Sequence, residues 1–160
     1  MADEVFEKLC AHFKRIAEND LTKGALNFAD ATFQFRVVEE WPKDPHYPYT
    51  WHLERDGEWY WVEIKNGTLK FGSGYVSDKL PFRECIPVQA ERKILLDILE
   101  GRIRPSDAWF SDKLFVGNFS VGSVNGAWVI ALLRLGQAAQ SGYWNYLPSQ
   151  RQKMFMKVRY

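Results

Sequence analysis

Residues 98–118 read "ILEGRIRPSDAWFSDKLFVGN". An apolar helix arriving from the N-terminal side halts at Gly101, the residue type that most readily takes the left-handed backbone with which helices end. The chain restarts at Pro105, whose fixed φ suits a first helical turn, so "RPSDAWF" predicts a second, short helix. Asp112-Lys113 then releases the chain into "LFVGNFSV", an apolar run with strand character.

The flanks say what these elements pack on. Upstream, "QAERKILLDILEG" sets Ile94, Leu95, Ile98 and Leu99 in a helical stripe. Downstream, "SVNGAWVIALLRLGQAA" places Val124, Trp128, Leu132 and Leu135 along one face of a helix, with Ser123 or Asn125 as its cap. At the other end of the chain, from Asp3 to Glu18, Val5, Phe6, Leu9, Cys10, Phe13, Ile16 and Ala17 recur at three- and four-residue spacing, which predicts an amphipathic helix.

Between these helices the period changes to two. Ala31–Val38 alternates, with Phe33, Phe35 and Val37 opposite Thr32, Gln34 and Arg36, and predicts a strand. After the proline-rich loop "EEWPKDPHYP", the runs "YTWHLER", "EWYWVEIK" and "TLKFG" follow one another through Asp56-Gly57 and Asn66-Gly67 turns, as in a meander. In the middle run Tyr60, Val62 and Ile64 share a face; Trp59, Trp61 and Glu63 are assigned to the side away from the helices, which makes the two tryptophans candidates for a subunit interface. Pro87 lacks an N–H and predicts that "CIPV" is an edge or irregular strand. Hairpin-linked strands with helices gathered at the ends predict an α+β fold, an antiparallel or mixed sheet covered on one face by helices.

Composition narrows the function. With 160 residues, one core is the expectation, and a formal net charge of +1 supplies no field to attract nucleic acid. The acidic N-terminus "MADEVFEKLC", the lack of a membrane-length apolar run and the two cysteines, Cys10 and Cys85, predict a soluble cytoplasmic protein without a disulfide framework. The 7 Trp, 7 Tyr and 11 Phe are enough to build a dense core or line a cavity for a flat apolar ligand.

Catalytic signals are weak by comparison. His12, His46 and His52 stand in no metal-ligand spacing, "GNFSVG" carries one residue too many for a nucleophile elbow, and the glycines of "FGSGYV" precede no helix. Glu39-Glu40 is read as a solvated pair. No cofactor and no metal is predicted.

The order "NGTLKFGSG", then "LLDILEGRIRPSDAWFSDKLFVGN", then "AWVIALLRL" resembles the sterol carrier protein type-two family of lipid-transfer domains. The likeness covers residues 5–137, with Gly101 at the family's helix-ending glycine, Ala108-Trp109 at its Ala-aromatic pair and Lys113-Leu114 at its Lys-Leu strand. Asp112 stands where the family usually has glycine, and Gly117 falls one residue early against its strand-end glycine. The resemblance implies a five-stranded, mostly antiparallel sheet with helices on one side, an apolar tunnel between the layers, and sterols, fatty acyl chains or similar lipids as ligands.

The residues expected between sheet and helices, and so against such a ligand, are Phe33, Phe35, Tyr60, Val62, Trp109, Phe110, Trp128, Leu132 and Leu135. Burying apolar area gains about 25 cal/mol per Å² whether a ligand or the protein's own side chains supply it, so the same list also describes a plain core. Residues 1–140 are read as the carrier-like domain, and 141–160 as an aromatic and basic tail. The tail would serve as a lid, a dimer contact, an anchor in transient contact with membrane, or an arm packed at home. Three functions follow: a non-catalytic carrier of a hydrophobic small molecule, an accessory subunit that binds an enzyme partner or a second copy of itself, and a small enzyme using residues such as Glu63, Glu54 or His52 on an aromatic substrate.

Overall fold

The computed structural model describes residues 2–28, 30–43, 55–76, 85–116 and 123–141. Helix α1 spans Ala2–Glu18 and is followed by a 3-10 turn over Lys23–Phe28. Strands β1 (Ala31–Val38), β2 (Glu58–Lys65), β3 (Thr68–Ser73) and β4 (Cys85–Glu91) come next, then α2 (Arg92–Leu99), α3 (Pro105–Phe110), β5 (Leu114–Val116) and α4 (Ser123–Ser141). The expected strand "YTWHLER" lies outside the described residues except for Arg55, which stands in a turn, and the tail beyond Ser141 also lies outside them.

The five strands form one open mixed sheet in the order β3-β2-β1-β4-β5. Pairs β1–β2, β2–β3 and β4–β5 are antiparallel, while β1 and β4 run parallel. Both edges of β2 are thus taken, by β1 and β3, and the β2–β3 hairpin turns at Asn66 and Gly67 with φ of 52° and 76°, the backbone an Asn-Gly turn provides. Strand β4 is a regular internal strand, not the edge or irregular strand its proline predicts. The physical reason is register: the β4–β5 ladder covers Val88 to Ala90, so among the described residues no β5 partner stands opposite Pro87.

The helix-facing side of the sheet is the core. Phe33, Phe35, Val37, Val62, Ile64, Ile86 and Val88 are buried there beneath Val5, Leu9, Phe13 and Ile16 of α1, Leu95, Ile98 and Leu99 of α2, and Val129, Leu132 and Leu133 of α4. The opposite side is also closed in places. Trp59 is 1% exposed, and Gln34 and Gln89 are fully buried. The chain at Gly74–Val76 contributes to that cover, since Tyr75 meets the Trp59 ring edge-on at 5.2 Å and the Val76 N–H donates to Gln34 Oε1. Trp59 does lie on the face away from the helices, as expected, but it is enclosed and is not an exposed interface residue.

The turns of residues 98–118 form as the residues dictate. Helix α2 ends with Gly101 at φ 81°, where the Arg102 N–H donates to the Asp97 carbonyl at 2.8 Å and the Gly101 N–H to that of Ile98 at 3.1 Å; the pair of bonds is a Schellman closure. Helix α3 starts on Pro105 and ends in the same way: Lys113 N–H to Ala108 O at 2.8 Å, Asp112 N–H to Trp109 O at 3.2 Å. Asp112 holds the left-handed position with φ 60°, which explains why it can replace a glycine, since aspartate is among the few residues that tolerate that region.

Candidate ligand site between sheet and helices

Four of the nine expected site residues form one square. Phe33 faces Val62 and Phe35 faces Tyr60 across the antiparallel β1–β2 pair, on the side that meets α1. Phe13 packs edge-on against Phe35 at 6.3 Å, and Phe6 stacks on Tyr60 at 5.4 Å. Leu132 closes the layer from α4. These five side chains are between 0% and 5% exposed, so almost none of their surface meets open space large enough for a water molecule.

The other four stand elsewhere. Leu135 is half-buried against the core and Trp109 is half-buried on α3. Trp128 is half-buried and stacks on Phe28 at 6.2 Å with the planes 4° apart, leaving Phe28 itself 70% exposed. Phe110 corrects the expectation outright: it is 81% exposed and does not lie between sheet and helices. A six-residue helix turns one side inward, and Ala108 and Pro105 occupy it.

Sequence reasoning passed over His12 on α1, which the structure buries completely. Its ring packs on α4 at Gly136, where a Cβ would overlap it. Neither ring nitrogen has a hydrogen-bonding partner. Burial first, and the Arg15 charge second, push its pKa down to about 4; the Leu132 and Leu133 carbonyls, near the ring but outside hydrogen-bond geometry, offset part of this. The signal available in the sequence was Gly136 itself, a glycine well inside an apolar helix.

Polar chemistry gathers at the other end of the sheet. Arg92 bridges Glu39 and Glu58, and the Tyr60 hydroxyl donates to Glu58 Oε2 at 2.8 Å. Beside this network opens a cleft of about 420 Å³ lined by Arg36, Val37, Val38, Glu39, Glu40, Pro42, Gly57 and Glu58. Three carboxylates and a guanidinium make it a poor seat for an apolar molecule. Glu63 lies on the other face of β2, paired with Thr32 and Lys70; His46, His52 and Glu54 lie outside the described residues. Among the described residues no group of three or more His, Cys, Asp or Glu side chains is placed to hold a metal ion.

No family model matches the chain, and no curated protein sequence does. Solved structures do. Sterol carrier protein 2 from Yarrowia lipolytica, in its apo form, superposes with a TM-score of 0.50 at 15% identity, over 79% of this chain and 87% of that one. A crystal structure of sterol carrier protein 2 gives 0.52 at 14% identity, over 82% and 94%. The ubiquinone synthesis protein UbiJ-SCP2 gives 0.50 at 12% identity, over 84% and 94%. The chain therefore has a sterol carrier protein 2-like fold, an α+β domain with an open five-stranded sheet. Among the described residues no helix is long and apolar enough to cross a membrane.

Proposed function

We propose that the protein binds a hydrophobic small molecule, of the sterol or fatty-acyl kind, and hands it on without catalysing a reaction. The observation that carries this reading is two aromatic side chains left open on a carrier-like fold: Phe110 on α3 at 81% exposure, and Phe28, stacked on Trp128, at 70%. Exposed rings of this kind offer an apolar partner a first contact. Trp109, Phe110, Trp128 and Leu135 are the ligand's first contacts in this reading, and Phe33, Phe35, Tyr60, Val62 and Leu132 the floor it reaches when the helices part. The two free thiols, Cys10 and Cys85, are in keeping with a cytoplasmic setting.

Titration with a fluorescent fatty acid, followed by displacement with unlabelled lipid, tests the proposal. Saturable one-to-one binding, weakened several-fold by Phe110→Ala, is expected; no saturable binding of any apolar probe defeats it. A second reading, an accessory subunit that docks on an enzyme or on its own copy, is favoured by the five deep side chains packed at 0–5% exposure. Native mass spectrometry separates the two. A retained adduct of lipid mass supports the carrier, and a bare chain found only in complex with a protein supports the subunit.

A further inference from the structure

We infer that the seam between His12 and Gly136 is an acid-released latch: protonating the imidazole parts α4 from α1 and uncovers the apolar layer beneath. The seam's construction points to this. A fully buried imidazole seats on Gly136, a helix position that has no side chain, against the α4 backbone at Leu132 and Leu133. Neither nitrogen is hydrogen-bonded, and the Leu132 and Leu133 carbonyls offset only part of the cost of burial, so an added proton would bring a charge with no counter-ion into an apolar seam. Such a charge is relieved by exposure to water.

The surroundings give the proton no counter-ion. Among the described residues the charge acting on the ring is that of Arg15, on the same helix and of the same sign. From α4 the ring meets Gly136 and the carbonyls of Leu132 and Leu133. A purely apolar side chain at position 12 would hold the seam at any pH; histidine makes it conditional.

What moves is the cover of the core. Val129, Leu132 and Leu133 of α4 belong to the same buried cluster as Phe33, Phe35 and Val62. Lifting α4 therefore bares the layer in which the ligand is placed above, and this last step rests on that reading. An imidazole of pKa about 4 when closed and about 6.5 when open multiplies the open population about 20-fold from pH 7 to pH 5, and about 100-fold to pH 4.

Hydrogen exchange on the full chain from pH 7 to pH 4, with pulse times scaled to a constant intrinsic rate, tests the latch. Amides of α4 between Val129 and Gln137 are expected to lose protection at least tenfold by pH 5 while those of β1 and β2 keep theirs. The His12 ring, followed by NMR, should titrate over the same range. His12→Leu and His12→Phe should hold α4 closed throughout. Simultaneous loss in sheet and α4, or α4 opening that persists in a folded His12 variant, overturns the proposal. Should neither variant fold, wild-type α4 protection that stays constant between pH 6.5 and pH 4 overturns it as well. Dehydroergosterol, a neutral fluorescent sterol, supplies the second arm: its exchange should quicken several-fold from pH 7 to pH 5. If α4 opens and this probe fails to bind at any pH, the latch stands and the carrier reading falls.

Discussion

A neutral histidine at position 12 is a debt that acid calls in. Its folded pKa of about 4 lies below the 6.5 of the unfolded chain, so between those values the unfolded state binds more protons. The stability His12 allows is whole above pH 6.5 and is lost as pH falls through 4, by about 3 kcal/mol in all. Urea unfolding at pH 7 and pH 4.5 should show His12→Leu erasing about 2–3 kcal/mol of acid sensitivity relative to wild type. Asp112 carries the opposite kind of cost. Its φ of 60° strains an L side chain, and its carboxylate sits just past the C-terminal end of α3, the negative end of the helix dipole. Asp112→Gly should raise stability by about 0.5–1 kcal/mol, read as a melting temperature higher by about 1–3 °C. These two effects are independent in cause, one a buried proton site and the other a backbone conformation.

At the scale of elements, α4 decides most. The stripe expected from spacing is Val124, Trp128, Leu132 and Leu135; from Trp128 on, where side-chain burial is described, the buried face carries Val129, Leu132, Leu133, Gly136 and Gln137. Between Ala127 and Leu135 the helix is apolar nearly all round, so periodicity could not pick its inward side. The notch at Gly136, fitted to His12, and Gln137, whose amide donates to the carbonyls of Ile98 at 2.9 Å and Ile103 at 2.6 Å, fix the rotation. Leu133→Ala should therefore cost about 2–5 kcal/mol in denaturant unfolding, and the half-buried Leu135→Ala under about 1.5 kcal/mol, the reverse of what the spacing implied. The strands were more legible. Ala31–Val38 and Glu58–Lys65 run as their alternation predicts because one face of each meets a core and cannot slip register. The parallel β1–β4 pair, by contrast, depends on which edge of β1 is vacant, and local residues hold no record of that. The candidate site was legible to a similar depth: alternation placed Phe33, Phe35, Tyr60 and Val62 on the core face, while Phe110 was misplaced because a short apolar run does not tell which side of a six-residue helix turns inward.

For the whole molecule, the state of packing sets how any ligand must enter. Phe33, Val62 and Leu132 are fully buried within one apolar cluster, so a lipid reaching them displaces contacts the protein already makes. In the carrier proposed above, entry is coupled to an opening of this layer, and apparent affinity is reduced by the small fraction of molecules that are open. Stopped-flow mixing with a fluorescent lipid should give an observed rate that levels off with rising lipid concentration, at the rate at which the helices part. Binding to a surface formed in advance would instead give a rate climbing linearly. The same coupling predicts that Gly136→Ala, which drives a methyl group into the His12 ring, lowers the melting temperature while raising that plateau rate, since it weakens the closed seam. A variant that loses stability without faster uptake would place lipid entry somewhere other than beneath α4.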